Sequence, residues 1–274
     1  MKKQPINTNR PLSFFAIIDN LVVGIGKFVE STIKLNIQFI AFMWETAKHM
    51  PFVYKNIRFT IEQMYIIGIT SLPLVATTSV FTGGVVAIQS ITQFGDYLPL
   101  RYVGTLVGKT VMVELGPVLT ALVIAGRVGA AMTAEIGTMA VTEQLDAMKC
   151  LNLNPFRFLV APRVVAGMLM LPVLTIYSSL VAILGALGIV YFLKDLPPST
   201  FFQGVRLFYS NLDLAAGLMK SLVFGLIISG FGCFFGYYST HGADGVGRAT
   251  RSSVVASDIS ILISGFIVSH FLLS

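Results

Sequence analysis

The chain has 274 residues, of which 55% are hydrophobic and only 12% are charged. Ordinary soluble domains carry about 25% charged residues, so this composition excludes a soluble globular protein that must cover its own surface. The net charge of +6 is spread among apolar segments. That distribution argues against a nucleic-acid-binding face and fits attraction to the anionic headgroups of a membrane.

The N-terminal sixty residues are amphipathic. Between residues 13 and 35, polar side chains such as Asn20, Lys27 and Glu30 recur near helical spacing among aliphatic and aromatic ones. This pattern predicts a helix that lies in the headgroup plane, with a short buried spanning helix as the alternative. No small-residue cleavage site follows the basic N-terminus, so a removable signal peptide is not expected. We therefore divide the chain into a cytoplasmic or interfacial segment, 1–60, and a membrane domain, 61–274.

Five segments of the chain reach the length that a transmembrane helix needs, about 20 mostly apolar residues. They are residues 65–91, 102–132, 158–193, 214–238 and 253–273. The predicted fold class is therefore an all-α integral membrane protein with about five transmembrane helices. The last segment is the weakest because it contains Asp258. We expect Asp258 near the start of its helix, where a carboxylate is stabilised by the helix N-terminus.

The positions of the lysine and arginine residues predict the orientation in the membrane. With a cytoplasmic N-terminus and five spans, the cytoplasmic segments hold fourteen of these residues. The other side holds three, Arg101, Lys194 and Arg206. This imbalance favours a cytoplasmic N-terminus.

Small residues three or four positions apart recur inside the spans and predict close contacts between helices. The sets are Gly126/Gly129/Ala130, Gly185/Gly188 and Gly232/Gly236. Such sets are common in polytopic proteins, so they indicate a packed bundle and not a particular function.

One segment resembles a nucleotide-binding motif without meeting its requirements. Residues 104–110 read GTLVGKT, whereas a P-loop has four residues between its glycines and joins a strand to a helix. Here three residues separate the glycines, and the segment opens an apolar helix. We therefore do not expect this chain to bind ATP. The two cysteines, Cys150 and Cys233, lack the spacing of metal ligands, and no metal site is expected.

Two charged residues lie within or at the edge of apolar spans, Glu114 and Lys220. A lone charge at such a place costs about 2.5–3.5 kcal/mol on insertion scales, so these side chains are expected to face the bundle interior or a wet cavity. Three interpretations stay open from the residues alone. They are a structural ion pair, snorkelling to the interface and contact with a substrate.

A polar stretch separates the second and third spans. Residues 133–149 read TAEIGTMAVTEQLDAMK, which predicts a short amphipathic helix on the cytoplasmic side, with an ordinary solvated loop as the alternative. A loop would leave four apolar side chains exposed unless a partner or the lipid surface covered them, namely Ile136, Met139, Leu145 and Met148. Amphipathic helices commonly dock in a partner's groove. This stretch is therefore the predicted contact for a cytosolic motor.

The run from Glu114 to Pro172 resembles one protein family. It reads ELGPVLTALVIAGRVGAAMTAEIGTMAVTEQLDAMKCLNLNPFRFLVAPRVVAGMLMLP and closely resembles the MlaE permease family. Members are the membrane subunits of ABC systems that move phospholipids between the inner and outer membranes of diderm bacteria, with relatives in the chloroplast envelope. Weaker similarity extends from about Tyr65 to the C-terminus.

The resemblance implies partners for this chain and no cofactor of its own. It implies a homodimer with a lipid-accessible cavity between the copies, and a cytosolic ATPase dimer that binds ATP and Mg. It also implies an MCE-domain protein on the far side and, in some systems, a STAS-domain subunit. The implied location is the bacterial inner membrane rather than the plastid envelope.

The resemblance also implies roles for particular residues. The implied substrate-binding positions are Glu114, Lys220, Tyr97 and Gln89. The implied ATPase-coupling positions are Glu135, Glu143, Gln144 and Asp146. Several relatives have an arginine immediately before the glutamate, where this chain has Val113. That departure weakens the expectation of an ion pair that grips a headgroup phosphate, and Arg101 is a candidate substitute.

Two functional hypotheses from different classes follow. The first is the permease subunit of an ABC-type transporter that moves phospholipid or a similar lipid, a transporter subunit rather than an enzyme. The alternative is a stand-alone secondary transporter that uses Glu114 and Lys220 in ion coupling. Secondary transporters often contain inverted repeats, and the sequence has no evident repeat.

Overall fold

The structure, a computed structural model, describes residues 14–94, 99, 101–207 and 210–273 of the chain. Within these ranges the side chains of residues 14–29, 31, 32, 94 and 273 are not described. Helices form most of this part of the chain, and no residue in it belongs to a β-strand. The predicted all-α fold class is confirmed. The chain divides into two compact units, residues 1–44 and 45–274.

The described residues form eleven α-helices. They are α1 (Phe14–His49), α2 (Ile57–Ile67), α3 (Leu72–Phe94), α4 (Arg101–Thr110), α5 (Gly116–Ile124), α6 (Ala130–Val141), α7 (Gln144–Cys150), α8 (Ala161–Lys194), α9 (Pro198–Leu207), α10 (Asn211–Tyr237) and α11 (Gly242–Leu273). Short 3-10 segments at Met50–Asn56 and Ile69–Ser71 flank α2. Single π-helical turns at Val111–Leu115 and Ala125–Gly129 join α4, α5 and α6 into one continuous stretch, and a third at Phe156–Val160 opens α8.

In the described part of the chain, five helical stretches are long and apolar enough to cross a membrane. They are Ile33–Gln93, Arg101–Val141, Phe156–Lys194, Asn211–Tyr237 and Gly242–Leu272. The predicted number of spans is confirmed. The N-terminal stretch begins earlier than the predicted 65–91, because helical structure already runs through residues 33–64 with short 3-10 interruptions.

The last span corrects one expectation. Helix α11 begins at Gly242, well before the apolar residues of the predicted span at 253–273. Asp258 therefore lies about four turns inside the helix and not near its N-terminus, so the predicted stabilisation by the helix end is wrong. The apolar pattern marked where hydropathy rises, whereas the helix itself extends into a polar stretch.

Contacts between spans fix their relative directions. A Cβ atom on Gly217 of α10 would clash with the Met112 carbonyl oxygen, and one on Gly236 would lie 2.9 Å from the Thr133 oxygen. Both sequence positions rise together, so α10 runs parallel to the α4–α6 stretch. In α11, Val246 lies near Gly137, and Gly265 lies near Val118. Helix α11 therefore runs antiparallel to that stretch.

These directions place the starts of α4 and α10 and the end of α11 at one end of the bundle, which we call the Arg101 end. The end of α6, helix α7, the end of α10 and the start of α11 lie at the opposite end, the Val141 end. Each half has its own apolar core. One core includes Ile124, Leu171 and Phe224, and the other includes Val107, Ile183 and Phe201.

Glycine residues let the backbones of neighbouring spans touch. A Cβ on Gly225 of α10 would lie 2.5 Å from the Gly167 carbonyl oxygen of α8, and one on Gly83 of α3 would clash with the Ala182 backbone. Real Cβ atoms do not tolerate such distances, so α3 and α10 pack on α8 through backbone contacts. This confirms the close helix packing that the small residues predicted.

The predicted small-residue sets are only partly used within one chain. Gly129, Gly185, Gly232 and Gly236 all lie against neighbouring spans. A Cβ on Gly126 or Gly188, in contrast, would meet nothing within 4 Å. Spacing identified the sets, but the direction in which each glycine faces depends on how the helices are rotated.

The segment that resembles a P-loop has a packing role. Gly104 and Gly108 lie in α4 and face α9, where a Cβ on Gly104 would clash with the Phe201 carbonyl oxygen. The Thr105 hydroxyl donates a hydrogen bond of 2.6 Å to the Gly204 oxygen of α9. Residues 104–110 therefore form a helix packed on another helix and not a phosphate-binding loop.

The glycine contacts lead to a stability prediction. Gly225→Ala should destabilise the protein by about 1–3 kcal/mol, because the new methyl group forces α10 away from α8. Gly188→Ala is the matched control. It should be neutral or slightly stabilising, because alanine favours a helix and its methyl group enters open space. Thermal denaturation of both purified variants in one detergent tests this, and equal midpoints would contradict the backbone contact.

Candidate functional site

Three polar side chains from three different spans meet in the half of the bundle toward the Arg101 end. The Lys220 Nζ atom of α10 donates a hydrogen bond of 2.6 Å to Glu114 Oε1. Ser269 Oγ of α11 lies 2.8 Å from the same carboxylate oxygen. Of the three interpretations that the sequence left open, the geometry selects an ion pair for Lys220. We call Glu114, Lys220 and Ser269 the intramembrane cluster.

The sequence around Glu114 explains why Lys220 also reaches the backbone. In an α-helix the Val113 carbonyl would accept a hydrogen bond from the amide of residue 117, but Pro117 has no N–H. Lys220 Nζ donates to that carbonyl oxygen instead, at 2.9 Å. Glu114 itself lies in the π-helical turn Val111–Leu115, and such turns are frequent at functional sites. The Glu-Leu-Gly-Pro motif thus creates two acceptors for one buried lysine.

Burial differs sharply between the two charged partners. The Lys220 side chain is 0% exposed, whereas the Glu114 side chain is 45% exposed. The ammonium group therefore lies behind the carboxylate as seen from outside the chain. Because an exposed charge within a membrane span is found almost only toward a wet cavity or a neighbouring protein surface, Glu114 marks the face of this bundle that is not covered by lipid.

One of the other predicted substrate positions, Gln89, does not join the cluster. Tyr97 lies outside the described residues. Gln89 is exposed on α3 and makes no hydrogen bond to Glu114 or Lys220. The guanidinium group of Arg101 lies over the ring of its neighbour Tyr102, 5.0 Å from the ring centroid, and makes no ion pair with the cluster.

The predicted coupling segment is helical but broken. Helix α6 ends at Val141 and α7 begins at Gln144, and between them Glu143 has a left-handed backbone with φ of 60°. Three of the predicted coupling residues are exposed around this break, namely Glu143, Gln144 and Asp146. The single helix expected over 133–149 is therefore two helices joined by a sharp turn.

The apolar side chains of this segment correct an expectation. Ile136 is 0% exposed and Leu145 is 4% exposed, while Met139 and Met148 are half-buried. Ile136 packs against Gly236 of α10. The expectation that a partner or the lipid surface must cover these side chains is wrong for Ile136 and Leu145, which are buried within the chain itself.

Glu135, the remaining predicted coupling residue, is tied into the protein. Its Oε1 atom accepts a hydrogen bond of 2.6 Å from Arg163 Nη2 of α8. The Arg163 side chain is only 1% exposed, and its guanidinium carbon lies 5.3 Å from the centroid of the Phe59 ring of α2. Arg163 thus connects α2, α6 and α8 at the Val141 end.

Sequence reasoning counted Arg163 only as a basic residue on the cytoplasmic side. A signal for the pair does exist, because Glu135 and Arg163 lie at equal separations on either side of Lys149. Two spans that turn back on each other bring such positions to the same level. The pairing can be predicted from these separations only once the position of the turn between the spans is known.

Helix α7 carries an ion pair of its own. Lys149 Nζ donates a hydrogen bond of 2.8 Å to Asp146 Oδ1, and this bond raises the pKa of Lys149 above its ordinary value. The ammonium group also lies 5.7 Å from the centroid of the Tyr237 ring at the end of α10. Lys149 therefore stays protonated at neutral pH and links α7 to α10.

Comparison with known proteins places this architecture. A family model described as Permease MlaE matches residues 60–271, which include all three residues of the intramembrane cluster and helices α6 and α7. The chain belongs to the MlaE permease family. The resemblance seen between Glu114 and Pro172 is confirmed. This MlaE permease is accordingly a multi-pass membrane protein and a transporter subunit rather than an enzyme.

Relatives of the permease occur in distant organisms, and each of the following is named a probable ABC transporter permease protein. One from Rickettsia prowazekii is 42% identical over 210 residues, which is 77% of this chain and 81% of that protein. One from Synechocystis is 46% identical over 214 residues, covering 78% and 81% of the two chains. One from Porphyra purpurea is 39% identical over 211 residues, covering 77% and 80%.

The burial of Lys220 leads to a prediction about stability. Glu114→Gln should lower the free energy of unfolding by about 3 kcal/mol, because a buried ammonium group loses its counter-charge. Adding Lys220→Met should recover much of that loss, since no buried charge remains. Denaturation midpoints of the two single variants and the double variant form a double-mutant cycle. Additive effects would show that the two side chains do not interact.

The Arg163 contact predicts a difference between two glutamates of the same segment. Glu135→Gln should destabilise the permease by about 1–3 kcal/mol, because the buried guanidinium group keeps only a neutral acceptor. Glu143→Gln, the same substitution at an exposed position, should leave stability unchanged. Thermal denaturation of both variants is the measurement. A midpoint for Glu135→Gln that matches the control would remove Arg163 from this role.

Proposed function

We propose that this MlaE permease is the membrane-spanning subunit of an ABC-type transporter that moves phospholipid, or a similar lipid, between membranes. The observation that carries the proposal is the identity of 39–46% over 210–214 residues with proteins named probable ABC transporter permease protein, together with the family match over residues 60–271. A permease of this kind works with a separate cytosolic ATPase dimer, which binds ATP and Mg.

The chemistry around the intramembrane cluster supports a lipid cargo. An amphiphile needs one polar contact for its headgroup and apolar surface for its acyl chains. Glu114 offers the polar contact, and a groove of about 90 Å³ between α8 and α10 offers apolar surface in the same half of the bundle. Residues that line the groove include Met112, Ile176, Leu180, Leu214 and Leu218.

The Val141 end supports the contact with the ATPase. The turn before α7 presents Glu143 at the surface, and α7 itself presents Gln144 and Asp146. The distribution of lysine and arginine residues assigns this side to the cytoplasm. Glu135 has a different role in this proposal. Its hydrogen bond to Arg163 couples a movement of α6 to α8. Since α4, α5 and α6 form one continuous stretch, a displacement of α7 also displaces Glu114.

The full assembly that we propose has further members. Two copies of the permease form a homodimer with the lipid cavity between them, and Glu114 of each copy faces that cavity. An MCE-domain protein receives or delivers lipid at the Arg101 end, and a STAS-domain subunit belongs to some assemblies of this type. The proposed location is the bacterial inner membrane, with a cytoplasmic N-terminus.

Charge reversal at the surface of α7 tests the coupling to the ATPase. Glu143→Lys should abolish co-purification of the ATPase and ATP-dependent lipid transfer, while the denaturation midpoint of the permease stays at the wild-type value. Lys194→Glu reverses a charge at the Arg101 end and should change neither. The assay is lipid transfer between vesicles by the reconstituted complex.

Two results would contradict the proposal. ATPase retained by Glu143→Lys at the wild-type level would remove α7 as its docking site. Lipid or solute transport by the purified permease alone, driven by an ion gradient without nucleotide, would favour the secondary transporter instead.

A further inference from the structure

We infer that the intramembrane cluster recognises a hydrogen-bond donor on the lipid headgroup, most strongly a primary ammonium group, and not a phosphate. This inference rests on the proposed function and narrows the class of lipid. It follows from which atoms of the cluster a ligand can reach.

The positive charge of the cluster is out of reach. Lys220 has no exposed surface, and its Nζ atom already donates to Glu114 Oε1 and to the Val113 carbonyl oxygen. A phosphate needs an accessible cation or several N–H donors. Lys220 therefore positions Glu114 and does not touch the cargo.

One carboxylate oxygen is left for a ligand. Oε1 of Glu114 lies 2.6 Å from Lys220 Nζ and 2.8 Å from Ser269 Oγ. The single Ser269 proton goes to this carboxylate in preference to the Gly265 carbonyl at 2.9 Å, because the charged acceptor forms the stronger bond. Oε2 has no hydrogen-bond partner within the described residues, and the side chain is 45% exposed. An ionised carboxylate oxygen only accepts hydrogen bonds.

The cations of α4, Arg101 and Lys109, do not provide a phosphate site beside Glu114. Val113, buried at 4% exposure, occupies the position before the glutamate. Arg101 lies over the Tyr102 ring, and Lys109 is paired at 3.9 Å with Asp213 of α10. Neither Arg101 nor Lys109 makes an ion pair with Glu114. A headgroup that approaches Oε2 thus meets an acceptor with negative charge, and an N–H or O–H donor is the complementary group.

A comparison of three lipids distinguishes the effect of a hydrogen-bond donor on the headgroup from the effect of its net charge. Phosphatidylethanolamine carries a primary ammonium with N–H donors, whereas phosphatidylcholine is a zwitterion of equal net charge without them. Phosphatidic acid presents phosphate only. In the reconstituted complex with its ATPase, acyl-chain-labelled phosphatidylethanolamine should be transferred about tenfold more efficiently than either, the factor expected for one charge-assisted hydrogen bond.

Variants show whether Glu114 is the source of the preference. The double variant Glu114→Gln/Lys220→Met has no buried charge, and its preference should fall to within about twofold, in line with a neutral hydrogen bond. Ser269→Ala should weaken the preference, because Oε1 loses a donor that helps to hold the carboxylate. Ser264→Ala is the control on the same helix. Its hydroxyl bonds only to the backbone of α11, and its preference should equal that of the wild type.

The possible failures are distinguishable. Equal transfer of all three lipids by the wild type, or a preference that survives in the double variant, would overturn the donor assignment and leave lipid transport standing. Faster transfer of phosphatidic acid would do the same and point to a phosphate site elsewhere. Absence of ATP-dependent transfer of any lipid would overturn the proposed function and this inference together.

Discussion

The structure of this permease depends on the neutralisation of one buried charge within a membrane span. Lys220 lies 0% exposed in α10, where an unpaired ammonium group would not be tolerated. It is accepted there because Glu114 supplies the counter-charge and the Val113 carbonyl oxygen accepts a second hydrogen bond from its Nζ atom. The same interaction fixes the rotation of α10 against the α4–α6 stretch. It also turns one oxygen of Glu114 outward, so a structural requirement and a binding group arise from a single contact.

Backbone contacts through glycine give the bundle the rigidity that this pair requires. Gly225 lies against Gly167, and Gly217 lies against the backbone at Met112, one residue before Val113. Because no side chain separates the helices at these points, α10 cannot shift without moving its neighbours. The π-helical turns at Val111–Leu115 and Ala125–Gly129 interrupt this regularity. We propose that a movement that starts at α7 changes the position of Glu114 at these turns.

The two ends of that stretch repeat one arrangement of charges. Toward the Arg101 end a buried lysine holds a half-exposed glutamate, and at the Val141 end the buried Arg163 holds the exposed Glu135. In each case the cation is inside and the carboxylate faces outward. The permease therefore presents acceptors at both positions. We propose that one meets the headgroup and that the other lies beside the surface that the ATPase contacts.

The sequence by itself determined that the chain lies in a lipid bilayer, how many spans it has and to which family it belongs. These follow from apolar length and from the residues between Glu114 and Pro172, which are local properties of the chain. Which side chains meet was decided only by the tertiary structure. Sequence could not show that Ser269 joins Glu114 across 155 positions, that Ile136 is covered by the same chain, or that Asp258 lies deep in α11. Each of these depends on the rotation and the crossing angles of the long helices. Hydropathy does not encode them, because apolar residues are equally favourable on every side of a helix that faces lipid.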